Sequence, residues 1–102
     1  MSIVLVATFQ PAPGKTEELI EVLTSAIPAV HTEEGCELYA LHRGKETLVM
    51  IEKWASREAL SAHGKGPAIA EMGPKMQGLL AGPADIVRLE AVPAGTEAQG
   101  AL

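Results

Sequence analysis

A chain of 102 residues carrying 8 Lys and Arg against 13 Asp and Glu, for a formal charge of -5, has the length of one domain, and the lack of any basic run excludes a phosphate-backbone partner, so no nucleic acid is expected. Hydrophobic residues make up 47% and charged residues 21%, the balance of a soluble globular protein that folds without staples. The longest apolar stretch, Ile3 to Phe9, is too short to span a bilayer, and the N-terminus lacks the charged-then-apolar pattern of a signal peptide, so the expectation is a cytoplasmic protein with no membrane partner.

Ile3-Val4-Leu5-Val6-Ala7-Thr8-Phe9 is nearly all apolar and rich in β-branched residues, which predicts a strand buried on both faces. Gln10-Pro11-Ala12-Pro13-Gly14 ends it. Between Lys15 and Glu34, the residues Leu19, Val22, Leu23, Ala26, Ile27 and Val30 recur at helical spacing, and Glu17, Glu18 and Glu21 suit the N-terminal end of the helix dipole. Pro28 should kink the last turns, and Gly35 stops the helix. Cys36 stands alone, so no internal disulfide or cysteine-based zinc cage can form, and it reads as a small core residue.

Cys36 to His42 and Thr47 to Trp54 are β-prone runs joined by Arg43-Gly44-Lys45-Glu46, which predicts a hairpin with a four-residue loop. That loop would pair Tyr39 with Met50, Leu41 with Leu48 and Glu37 with Glu52. Alternation then gives two faces, an apolar one of Cys36, Leu38, Ala40, Val49 and Ile51 for a helix to cover, and one carrying Glu37, Tyr39, Met50, Glu52 and Trp54. Ser56 is a good N-cap for a short helix reaching His63, Gly64-Lys65-Gly66 breaks it, and Pro67 starts another helical segment bearing Ile69, Met72, Met76 and Leu79 or Leu80, which Pro74 should bend. Ile86 to Val92 supplies a fourth strand. Residues 93–102 read as a flexible C-terminal tail, leaving residues 1–92 as the domain.

The order of elements predicts an α+β fold, a ferredoxin-like split β-α-β arrangement with a four-stranded antiparallel sheet and helices on one face. Helices on one side would leave the face with Tyr39, Met50 and Trp54 exposed to water. A homodimer that buries this face against its copy is therefore expected.

Gly35-Cys36-Glu37-Leu38-Tyr39 after an acidic helix end, Glu52-Lys53-Trp54 closing the third strand, Ser56 to His63 opening the next helix, and Pro13-Gly14-Lys15 before the first helix together resemble the antibiotic biosynthesis monooxygenase domain over about residues 3–92. The resemblance implies a dimeric α+β barrel and oxidation of a small aromatic phenol, quinol or anthrone by O2 with no cofactor, neither metal nor flavin. Haem-degrading relatives place an Asn in the first strand, a Trp late in the helix after the third strand and a His about one helix later. Here those places hold Ala7, His63 and Gly73, so haem degradation is disfavoured.

Such a reaction requires a base that ionises a flat apolar substrate, and groups that stabilise the anion and keep water away. His63 is the candidate catalytic base, since imidazoles titrate near neutrality and the resemblance points it toward the cavity; the plainer reading is a helix-end His. Tyr39, Glu52, Trp54 and Met50 are the candidate substrate-binding residues. Tyr39 and Trp54 offer aromatic walls or simple packing, and Glu52 offers acid-base chemistry or an ion pair across a dimer. His31 and His42 read as surface residues, and the scattered carboxylates and histidines have no recognisable ligand spacing, so no metal is expected. A non-catalytic, dimeric small-molecule-binding or stress-response module of the same fold is the alternative function.

Overall fold

A computed structural model describes residues 2–102. The elements run β1 (Ile3–Phe9), α1 (Thr16–His31), β2 (Cys36–Arg43), β3 (Leu48–Trp54), α2 (Arg57–Gly64), α3 (Pro67–Lys75), β4 (Asp85–Leu89) and α4 (Glu97–Gly100). All four strands join one antiparallel sheet in the order β2-β3-β1-β4, the α+β arrangement expected from the alternation of strand and helix signals. No helix among the described residues is long and apolar enough to cross a membrane.

The helices cover one face of the sheet. Leu5, Ala7 and Phe9 of β1, Tyr39 of β2 and Leu48, Met50 and Trp54 of β3 form one buried cluster with Leu19, Leu23 and Val30 of α1, Leu60 of α2 and Met72 of α3. This reverses the expected use of the hairpin. Leu38, Ala40, Val49 and Ile51 face away from the helices and join no buried cluster, whereas Tyr39, Met50, Glu52 and Trp54 lie beneath them. Alternation sorts residues into two sets without saying which set a helix covers. The bulkier set fills the depth under α1, and the smaller one leaves a flat surface.

The hairpin register also differs from the expected one. Tyr39 pairs with Glu52 and Leu41 with Met50, two residues away from the predicted partners, because the turn closes through the Gly44 N–H donating to the Thr47 carbonyl at 2.8 Å. Arg43 is thereby the last residue of β2, and its guanidinium reaches the Glu17 carboxylate at 2.9 Å. A shift of two preserves the faces. A bulge between Cys36 and Leu38 sets Cys36 opposite Trp54, so Cys36 leaves the flat face and packs against the core cluster.

Helix α1 runs through Pro28 and ends at His31, three residues before the predicted end, and Gly35 follows with φ +81°. That shorter helix frees Glu33 to enter a turn. β4 ends at Leu89, short of the predicted Val92, and the chain continues to a one-turn helix capped by the Thr96 hydroxyl, which accepts from the Gln99 N–H.

Candidate functional site

Two turns converge at one end of the sheet. Ser56 caps α2, its hydroxyl accepting from the Ala59 N–H at 3.1 Å, which fixes the helix phase and places His63 in its last turn. The Gly35 carbonyl accepts from the Ala55 N–H at 2.8 Å, tying the turn after α1 to the start of α2. Gly35 lies so close to the Ala59 β-carbon that any side chain there would overlap it, and its positive φ independently favours glycine. These ties bring Glu33 against His63.

His63 is 6% exposed and held on four sides. Its Nδ1 lies 2.6 Å from Glu33 Oε1, its ring stacks on Trp54 with centroids 4.5 Å apart, and the Tyr39 ring meets it edge-on at 5.4 Å. On the far side Nε2 faces Glu52 Oε1 at 3.9 Å. With Nδ1–H donated to the Glu33 carboxylate, a neutral imidazole carries its lone pair on Nε2, the nitrogen turned toward Glu52.

Glu52 is buried beside these rings and accepts a hydrogen bond from Trp54 Nε1–H at 2.9 Å. Burial pushes its carboxyl above the usual carboxylate range, against the downward pull of the Trp54 hydrogen bond and of His63. Burial, reinforced by Glu52 and Glu33, likewise lifts the Tyr39 phenol well above its ordinary value, so Tyr39 is a neutral donor. Burial also raises the Cys36 thiol, followed by the nearby Glu33 and Glu52 charges, which disfavours the thiolate a nucleophile would need. Glu33 and Glu52 approach different ring nitrogens and cannot converge on one ion. No group of three or more His, Cys, Asp or Glu among the described residues could hold a metal.

A cavity of about 590 Å³ lies between the sheet and α2–α3, within the range of small-molecule sites. Tyr39, Glu52 and His63 line it, with Leu5, Ala7 and Met72 among its apolar walls. Met50 and Trp54, expected to contact substrate, do not line it. Both are fully buried, and Trp54 acts on the site through its stack on His63 and its hydrogen bond to Glu52. Arg57 and Arg88, exposed members of the cavity's lining, and Glu33 were missing from the expected site. Glu33 lay in the acidic helix end already noted, but nothing local marked it as the partner of a residue 30 positions later. On the other side of His63 a second groove, of about 420 Å³, is lined by Glu33, Gly35, Ala59 and Gly66, so the imidazole stands between the inner cavity and an outer one.

The raised carboxyl of Glu52 has a measurable consequence. Because the folded chain holds this proton more tightly than the unfolded chain, the stabilisation is complete at low pH and is lost as pH rises through the folded-state value. Glu52→Gln removes the titration while its amide oxygen still accepts from Trp54. Thermal melts from about pH 4 to 8 should show wild type losing ground to Glu52→Gln as pH rises. A difference that does not change with pH would mean that Glu52 is not held protonated.

The chain as a whole is similar to known proteins. The sequence signature described as antibiotic biosynthesis monooxygenase matches residues 2–74. YcnE of Bacillus subtilis is 35% identical over 91 residues, covering 86% of this chain and 96% of its own. The structure of Rv0793 from Mycobacterium tuberculosis superposes with a TM-score of 0.86 at 26% identity, covering 94% of this chain and all of that one. A Caulobacter crescentus protein superposes with a TM-score of 0.83 at 33% identity, covering 89% of this chain and 90% of its own.

Proposed function

The chain belongs to the antibiotic biosynthesis monooxygenase family, and from that premise we propose that it binds a small aromatic phenol, quinol or anthrone in the inner cavity and oxidises it with O2, using His63 as the base and no metal or flavin. The observation that carries this reading is a buried imidazole, oriented by Glu33 through Nδ1, whose other nitrogen belongs to the wall of an apolar cavity. His63 Nε2 takes the substrate's acidic proton, and the Tyr39 O–H donates toward the oxyanion that results, with Glu52 in the same wall. The electron-rich anion passes one electron to O2, and the radical pair joins to form a carbon–oxygen bond. The peroxide takes up a proton, the hydrogen on the same carbon leaves to a base as the O–O bond breaks with loss of water, and that C–H electron pair completes the carbonyl. One oxygen atom stays in the product and the other leaves as water, so the two electrons beyond those in the new bond come from the substrate itself and no external reductant is consumed.

The functional unit in this proposal is a homodimer. Val6, Leu38, Ala40, Val49 and Ile51 share the sheet face opposite the helices with Val4, which is already buried beside Lys53 and its hydrogen bond to the Leu102 carbonyl, and on the same face Val87 and Leu89 remain 43% and 46% exposed. A second copy would bury that face and complete the barrel.

The test is O2 uptake with a panel of quinols and anthrones, run with a chelator and with labelled oxygen. The expected result is one O2 consumed per product and one labelled atom retained in it. Tight binding of the same compounds without O2 uptake beyond the uncatalysed rate would leave a non-catalytic binding module instead.

A further inference from the structure

We propose that the ligand of the inner cavity is an aromatic acid, its ring inside and its carboxylate or comparable anionic group held at the entrance between Arg57 and Arg88, an inference that rests on the cavity's being the substrate site. Arg57 opens α2 and Arg88 lies on β4, 31 residues apart in sequence, yet both line the inner cavity and both line the adjoining cleft of Ser2, Ile3, Leu89 and Glu90. They therefore flank the same opening. Arg88 is the antiparallel partner of Leu5, a cavity residue, so alternation points it to the helix side and away from the face that carries Val87 and Leu89. A second copy on that face would leave Arg88 available.

Among the described residues both guanidiniums are free to take an external partner, as are the exposed Lys45 and Lys65, but only the two arginines line a cavity. Acids outnumber bases by 13 to 8, and Lys15, Arg43 and Lys75 each pair with a carboxylate within 4.0 Å. Among the described residues neither Arg57 nor Arg88 forms an ion pair or a side-chain hydrogen bond, and Glu90, although it lines the same cleft, lies beyond ion-pair range of both. Two forked guanidiniums from different elements, meeting beside an apolar cavity, suit a planar anion that each can grip through parallel N–H groups. The lining is then graded across the sheet, from exposed Arg57 and Arg88 with the half-exposed Ile86 on the β4 side, through Leu5, Ile69, Met72 and Met76, to buried His63 and Glu52. A ligand with a charged group on one edge of an aromatic system and an ionisable hydroxyl on the other matches that order.

The experiment compares the affinities of 2-naphthol and 6-hydroxy-2-naphthoate by fluorescence titration of the intact protein, without turnover. At low ionic strength the acid should bind about 10-fold or more tightly than the naphthol. That ratio should fall toward one in the Arg57→Gln/Arg88→Gln double variant, with melting curves checking its fold, and in wild type at about 0.5 M salt, where the Debye length shrinks to a few Å. A wild-type ratio at or below one, or a preference that survives both the double substitution and salt, would overturn the anionic site. Failure of both probes to bind would overturn it together with the cavity reading. Binding with the expected preference but no O2 uptake would sink the oxidation and leave the anionic site standing.

Discussion

His63→Ala should lower the turnover of a verified substrate by about 10²-fold or more, because it removes the group that takes the substrate's proton. His63 lies between Glu33, Glu52, Tyr39 and Trp54, so the Ala variant also opens a gap and leaves two carboxyls without their imidazole. Its melting temperature should fall as well. His63→Gln separates the effects, since a glutamine of similar reach can still meet a carboxyl but cannot accept and release a proton near neutrality. It should regain stability and stay slow, with the wild-type pH dependence of turnover lost. Glu33 acts through His63 as a positioning residue. Glu33→Ala should lower kcat more than it changes KM, and Glu33→Gln, whose amide oxygen still accepts from Nδ1–H, should recover part of the loss. Near-wild-type rates and an unchanged pH profile in both His63 variants would make His63 a packing residue.

The second large effect is expected far from the cavity. Sedimentation at low micromolar concentration should show a dimer, and Val87→Asp should convert it to a monomer with its dissociation constant raised by roughly 10³-fold or more. In a two-fold interface each copy contributes one buried carboxylate, so the desolvation cost counts twice. Val87 is exposed in the single chain and pairs with Val6 across the open face, so the substitution removes nothing from the helix-covered core. An unchanged melting curve at high dilution together with a monomeric wild type would refute the interface.

Most elements could be read from the sequence because each carries its own local signal. The apolar run of β1, the helical spacing from Leu19 to Val30, Ser56 as a cap and Pro67 at a helix start all stand where the structure has them. The choice of covered face was not local. It depends on whether Trp54 and Met50 or Val49 and Ile51 fill the space under α1, a packing decision involving elements far apart in sequence. The same holds for the site. His63, Tyr39 and Glu52 were foreseen as a group, but the Glu33 contact crosses 30 positions and depends on α1 ending at His31 rather than Glu34. Trp54, which read as either a wall or simple packing, packs in the core and supports the wall from behind through its stack on His63 and its hydrogen bond to Glu52.

The close approach of Gly35 to Ala59 ties together two positions 24 residues apart. With no space for a β-carbon at 35 while 59 carries even a methyl group, position 35 cannot enlarge while the backbone stays in place. Divergence at 35 is therefore constrained by the residue at 59, and a homologue with a larger residue at position 35 should also carry an insertion or a displaced helix start nearby. Because the same contact sets the turn that delivers Glu33, such a homologue would be expected to have lost the acid at position 33 as well. The presence of a small pair at 35 and 59 thus becomes a marker, readable across an alignment, for chains that keep the carboxylate–imidazole couple.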